Sequence, residues 1–130
     1  MRPRRITMDT YFTVLPHQLA NQVGSGSLEV LSSPWLLGYF ENAAVRFLKD
    51  HLAEDETTVG TNAQLEHLAP SLLNEEIRIH CELVDHDDRH YHFQMQAYCQ
   101  DQLIGRLDHR RVKVNKESFM KKAQDNSSLQ

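Results

Sequence analysis

Three polar residues stand in places that pattern reserves for apolar or helix-starting side chains: Ser33, Glu41 and His67. Residues 34–52 have helical spacing. With Leu37 at zero and 100° per residue, Glu41 falls at about 40°, between Leu48 at about 20° and Val45 at about 80°. A bare carboxylate inside such an arc is costly unless it is paired or hydrogen-bonded. His67 continues an alternating series, Val59, Thr61, Ala63 and Leu65, expected to face inward. Ser33 reads as the helix N-cap, with Pro34 at the first helical position. Free N–H groups at that end can stabilise negative charge developing on a carbonyl oxygen. Hydroxyl, carboxylate and imidazole around a helix N-terminus are the parts of an acyl-transfer site. From pattern alone, a structural ion pair, a satisfied core histidine and a simple N-cap stay open as the plainer readings.

The elements that must position these groups follow from periodicity. Residues 11–15 form a short strand stopped by Pro16, and residues 21–27 a loop of small residues with Gly24 and Gly26. The helix is apolar over a wide arc (Leu36, Leu37, Phe40, Ala43, Ala44, Phe47, Leu48) and so is expected to be largely buried. After Glu54-Asp55-Glu56 the period changes from 3.6 to 2. Strands are expected from Val59 to His67, from Ile77 to Val84, from Tyr91 to Cys99 and from Leu103 to Asn115. The inward phase of the last is odd at first and even by Val112 and Val114, which places a bulge near residues 109–111. A three-residue turn at 87–89 pairs Leu83 with Phe93, Cys81 with Met95 and Ile77 with Cys99. The two cysteines are therefore not opposed and are read as free thiols. The fold class is α+β, an antiparallel sheet wrapped around one long central helix, in the element order of a hot-dog fold.

The chain has 130 residues, 40% hydrophobic and 25% charged. That is one domain with a real core, expected over about residues 8–115, followed by a polar tail at 116–130. Composition excludes disordered, collagenous and coiled-coil classes. No apolar run is long enough to cross a bilayer as a helix, so no membrane role is expected. Net charge is −4, from 14 Lys+Arg against 18 Asp+Glu, which leaves no basic footprint for nucleic acid. Arg2, Arg4 and Arg5 are not followed by the apolar stretch of a secretory signal. Two cysteines without an export signal fit a reducing cytoplasm.

Two other constellations of polar residues stand out. His80, His86, His90 and His92 surround one hairpin, at spacings seen in metal ligands. Three of them are in the outward phase and no closed ligand set is evident, so a solvated face is expected and no metal. Arg110, Arg111 and Lys113 form a small basic group. It is suited either to contacting the phosphates of a ligand or to charging a solvated edge strand.

Five ordered segments make the chain recognisable: Glu29-Val30-Leu31-Ser32-Ser33, Glu41-Asn42-Ala43-Ala44, Thr58-Val59-Gly60-Thr61, Glu66-His67-Leu68-Ala69-Pro70, and Ile104-Gly105 with His109-Arg110-Arg111. Their order and spacing resemble the fluoroacetyl-CoA thioesterase-like branch of the hot-dog acyl-CoA thioesterases, from about residue 10 to about residue 119. The resemblance implies hydrolysis of an acyl-CoA thioester to free acid and coenzyme A. No metal or redox cofactor is implied, and coenzyme A enters only as part of the substrate. It implies catalytic roles for Ser33, Glu41 and His67, with Glu41 as base or nucleophile, and an active-site glycine at Gly60. With Gly60, Arg110 and Arg111 are the expected substrate contacts. It also implies a homodimer, or dimer of dimers, with sites at the subunit interface. Ser33 stands where the family has threonine, Pro34 follows it, and Leu107-Asp108 replaces a Gly-Thr. The loop 21–28 lacks the lid phenylalanines of the fluoroacetate-specific enzyme, which points away from fluoroacetyl-CoA. The alternatives are a non-catalytic hot-dog module for an acyl-CoA or nucleotide-like ligand, and a hydratase. The Asp-x4-His pattern of the hydratase branch is missing.

Overall fold

A computed structural model describes residues 6–128; Arg2, Arg4 and Arg5 lie outside them. The elements are β1 (Ile6–Thr13), α1 (Ala20–Val23), α2 (Ser33–Leu48), β2 (Glu56–His67), β3 (Glu76–His86), β4 (His90–Cys99), β5 (Gln102–Asn115) and α3 (Lys116–Ser128). Single 3-10 turns lie at Pro16–Gln18 and Lys49–His51. The five strands form one antiparallel sheet in the order β1-β3-β4-β5-β2. Its concave face closes on α2, as expected from the apolar arc of that helix. Leu36, Phe40, Ala44 and Leu48 are fully buried against Ile77, Ile79, Cys81, Phe93, Met95 and Ala97.

The β3–β4 hairpin has the register that its alternation predicts: Leu83 opposite Phe93, Cys81 opposite Met95, Ile77 opposite Cys99. Both cysteines are free and buried. Burial pushes the Cys81 thiol up to about 12. At Cys99 burial, together with Glu75 beside it, gives about 11.

Four local expectations are corrected. The first strand runs over Ile6–Thr13, not residues 11–15. Its apolar alternation starts earlier, at Ile6, Met8 and Phe12, although apart from Thr10 and half-buried Phe12 its side chains are exposed. The N-cap of α2 is Ser32, whose hydroxyl accepts from Trp35 N at 3.3 Å; Ser33 is already helical and Pro34 follows it. The bulge expected at residues 109–111 of β5 lies across from them in β2, where the register shifts at Thr61, between Gly60–Arg111 and Asn62–Arg110. Hence Thr58 and Gly60 face inward before the bulge and Ala63, Leu65 and His67 after it, while Val59 and Thr61 do not. β5 keeps one phase from Gly105 onward, with Leu107, His109 and Arg111 all buried on the inner side, and its own register shift lies earlier, at Ile104.

Val112 and Val114 suggested a phase change because α3 covers them on the outer face. The polar segment 116–130 is thus helical over Lys116–Ser128, and Asn115 Oδ1 accepts from Ser118 N at 3.0 Å as its cap. No helix among the described residues is long and apolar enough to cross a membrane.

Candidate active site

The three expected catalytic groups fall into two sets. Ser33, in the first turn of α2, and His67, the last residue of β2, meet directly, with Oγ 2.7 Å from Nδ1. Had Ser33 been the cap, its hydroxyl would be turned to the helix backbone; Ser32 takes that duty and leaves Ser33 to the imidazole. His67 Nε2 is buried and has no hydrogen-bond partner among the described residues. Burial lowers the His67 pKa, against a weaker opposing pull from the backbone of Ala69. The pair lines a cleft of about 300 Å³ with Ser25, Leu31 and Pro70.

Glu41 is eight residues, or about 12 Å of helix, further along α2. It does not pair with His67 within the chain. It is also not enclosed in the apolar arc: its side chain is 43% exposed, on the flank shared with half-buried Leu37 and exposed Val45. That flank overhangs β2, whose residues from Gly60 to Gln64 are all exposed. The desolvation penalty expected from the helical wheel is therefore largely absent in a single chain.

Glu41 Oε2 lies 3.5 Å from Arg111 Nη1. Arg111 is only 6% exposed and fully engaged. Its Nε donates to Thr58 Oγ1 and its Nη2 to Thr58 O, each at 3.0 Å, and Nη1 is 3.1 Å from His109 Nε2. His109, 1% exposed, places Nδ1 2.7 Å from the carbonyl of Asn62. Burial lowers the Arg111 pKa, and the Glu41 carboxylate acts in the opposite sense. Gly60 lets these groups close in. A Cβ there would stand 3.1 Å from Glu41 Oε2, 3.2 Å from His109 Cε1 and 3.5 Å from Arg111 Nη1. A second cleft of about 300 Å³ abuts Arg111, between the β2 bulge and the β3–β4 turn.

The basic group at 110–113 is split by the sheet. Arg111 points inward, whereas Arg110 is exposed and lies in the opposite phase, with its carbonyl accepting from Thr61 Oγ1 at 3.2 Å. β5 is an interior strand, so protection of a sheet edge is not what these charges do. The residue that the sequence reading passed over is His109. It stands in the resemblance segment and in the inward odd phase, but the phase change expected at residues 109–111 masks that position. Thr58 gave no signal.

The remaining histidines do not converge. His80 pairs with Asp9 at 2.6 Å, His90 with Asp87 at 3.0 Å and His92 with Asp108 at 2.9 Å. Among the described residues no three His, Cys, Asp or Glu side chains are grouped to hold a metal ion. A groove of about 700 Å³ lies on the outer face between α3 and Val112 and Val114, away from Ser33, Glu41, His67, His109 and Arg111.

The profile of a family described as fluoroacetyl-CoA-specific thioesterase matches residues 14–117. No curated protein matches. Among solved structures, the fluoroacetyl-CoA thioesterase FlK superposes with a TM-score of 0.84 at 25% identity, over 96% of each chain. A hypothetical protein of Thermus thermophilus, described as a thioesterase superfamily member, has the same fold (TM-score 0.85, 19% identity, 98% of this chain and 97% of that one). So does a hot-dog-like protein of Thermanaerovibrio acidaminovorans (TM-score 0.85, 18% identity, 95% and 92%). The matched segment carries Ser33, Glu41, Gly60, His67 and Arg111 together, and on that ground the chain belongs to the fluoroacetyl-CoA-specific thioesterase family and is a thioester hydrolase of the hot-dog fold.

Proposed function

We propose that the protein hydrolyses small acyl-CoA thioesters as a homodimer. In this arrangement Ser33 and His67 of one protomer act with Glu41 of the partner subunit. The observation that carries this is a pair of complementary deficits along one edge strand. His67 Nε2 is buried without a partner, and Glu41 stands half-exposed over a strand with five consecutive exposed residues. β2 is a sheet edge twelve residues long, and an open edge of that length favours pairing. Antiparallel pairing about a two-fold at Gln64, with Thr61 left out of the ladder as the bulge, sets His67 against Gly60 of the partner subunit, beside which Glu41 of the partner subunit stands.

The chemistry follows from the groups assembled. The thioester carbonyl lies at the N-terminus of α2, where backbone N–H groups receive the charge developing on oxygen. Glu41 takes a proton from water as the water oxygen bonds the carbonyl carbon, or attacks that carbon itself to form an anhydride that water then opens. Collapse of the tetrahedral species breaks the C–S bond. The thiolate is protonated by way of His67, with Ser33 orienting the ring, and free acid and coenzyme A leave. No metal or redox cofactor enters these steps. Exposed Arg110 is placed to meet the phosphates of coenzyme A. The loop after α1 presents Gly24, Ser25 and Gly26 where lid phenylalanines would stand, which favours a small acyl group other than fluoroacetyl. The two buried free thiols agree with a cytoplasmic location.

A panel of acyl-CoA esters, followed by thiol release, tests the activity; full rate in Glu41→Gln overturns the assignment. Mixing Glu41→Gln with His67→Ala tests the sharing. Random exchange of protomers restores about a quarter of wild-type rate if sites are composite and none if each chain holds a whole site.

A further inference from the structure

We propose that His109 is a positioning residue of the thioesterase site: while neutral it holds the Arg111 guanidinium against Glu41, and its protonation releases that hold. The inference rests on Glu41 being the catalytic carboxylate.

The hydrogen bonds fix the state of the ring. A guanidinium can only donate, so the lone pair of His109 Nε2 must face Arg111 Nη1 at 3.1 Å. A backbone carbonyl can only accept, so Nδ1, 2.7 Å from Asn62 O, carries the proton. Both nitrogens are committed, and the ring is 1% exposed, so no solvent is available to take over either bond. A second proton would set N–H against N–H and cation against cation. Arg111 would keep its two bonds to Thr58 but lose the acceptor that fixes Nη1, the nitrogen that also faces Glu41.

The surroundings leave few other titrating groups. Glu41 faces the ring from α2. On β5 the neighbours are Arg111 and Asp108, the latter engaged with His92 at 2.9 Å. β2 presents Gly60, Asn62 and Thr58, and β4 presents Phe93 opposite His109 and Tyr91 opposite Arg111. Burial pushes the His109 pKa below its ordinary value; the Asn62 carbonyl opposes it, the Arg111 charge adds to the lowering, and the Glu41 and Asp108 carboxylates pull weakly upward. The neutral form is thus the resident one at neutral pH.

His109→Gln offers an acceptor oxygen near the position of Nε2 but cannot titrate. The expected result is a several-fold lower kcat at pH 8, with the acid limb of kcat/KM moved about half a unit or more toward lower pH. His109→Ala, which offers no acceptor, is expected to lower kcat at least about tenfold with KM little changed. An acid limb in His109→Gln superimposable on wild type overturns the proposal, as does a folded, dimeric His109→Ala with wild-type kcat. Should both variants fail to fold, nitrogen chemical shifts of the wild-type imidazoles decide. A neutral ring with the proton on Nδ1, titrating together with the rate, supports the proposal, and the opposite tautomer overturns it. Glu41→Gln in the same assay separates the two levels. If it retains full rate the underlying assignment has failed. If it is inactive while the acid limb ignores His109, only this inference has.

Discussion

Under the β3–β4 hairpin the sheet meets α2 with Ile77, Ile79, Cys81, Phe93, Met95 and Ala97, each with no exposed surface. Under β5 and β2 it meets the same helix with Gly60, Ala63, His67, His109 and Arg111, and beyond the bulge the strand lies open. One half is finished by its own chain. The other is polar inside and uncovered at its edge. The difference teaches that stability and chemistry are separated along the sheet: closing the hairpin half folds the domain, and what remains is an acid, two imidazoles and a guanidinium poised at a surface that asks for a second subunit.

Two substitutions should pull the halves apart most. Glu41→Gln is expected to lower the hydrolysis rate by about 10²–10⁴-fold, the usual worth of a positioned acid–base group. Its unfolding free energy should change by less than about 1 kcal/mol, since the side chain is half-exposed. Phe93→Ala removes a fully buried ring packed edge-on to Phe47, with centroids 5.5 Å apart. It should cost about 3–5 kcal/mol in urea denaturation, with kcat per folded molecule little altered. Equal losses of stability in both variants would show that the open half is structural after all.

The glycines sharpen the contrast on neighbouring strands. A Cβ at Gly105 would lie 2.8 Å from Leu36 Cδ2 and 3.0 Å from the carbonyl of Glu66, a backbone atom that cannot move aside alone. Gly105→Ala is expected to destabilise by about 1–3 kcal/mol. At Gly60 the nearest groups are the ends of Glu41, His109 and Arg111. Gly60→Ala should therefore displace those groups, lowering kcat about tenfold while the unfolding midpoint moves less than in Gly105→Ala. Thiol-release kinetics and urea melts on both variants decide it.

How much of this could be read from the chain differs by region in the same way. The hairpin was legible because period-2 alternation and a short turn fix register by arithmetic, down to Cys81 opposite Met95. The β2–β5 ladder was not. Its inner face mixes Ala63, Leu65 and Leu107 with Thr58, Gly60, His67, His109 and Arg111, so alternation carries little signal, and Val112 and Val114 answer to α3 on the outer side. A segment as polar as 116–130 gave no hint that it would supply that cover. The three groups Ser33, Glu41 and His67 were found because each breaks an apolar or capping pattern. Their pairing was not, because a helical wheel shows which residues share an arc but not which part of the arc the chain leaves uncovered. Gly60 was found through the ordered segments, and His109 was lost to the misplaced bulge.

The smallest expected effect concerns pH, and again it belongs to one half. The imidazoles with lowered pKa are half-buried His67 and buried His109, both on the β2–β5 side, and burial is the leading cause for each. The unfolded chain then binds more protons than the folded one between the folded values and the ordinary value near 6.5, so stability rises with pH across that window. It is fully present above about pH 6.5 and is lost as pH falls through the folded values. Urea midpoints measured from pH 7.5 down to pH 5 should decline below about pH 6.5 in wild type. The decline should be shallower in His109→Gln and in His67→Gln, each of which removes one titrating ring, and shallowest in the double variant. A profile unchanged by both substitutions would mean that the open half contributes no proton linkage to folding, and that its histidines are no more enclosed than those of the β3–β4 turn.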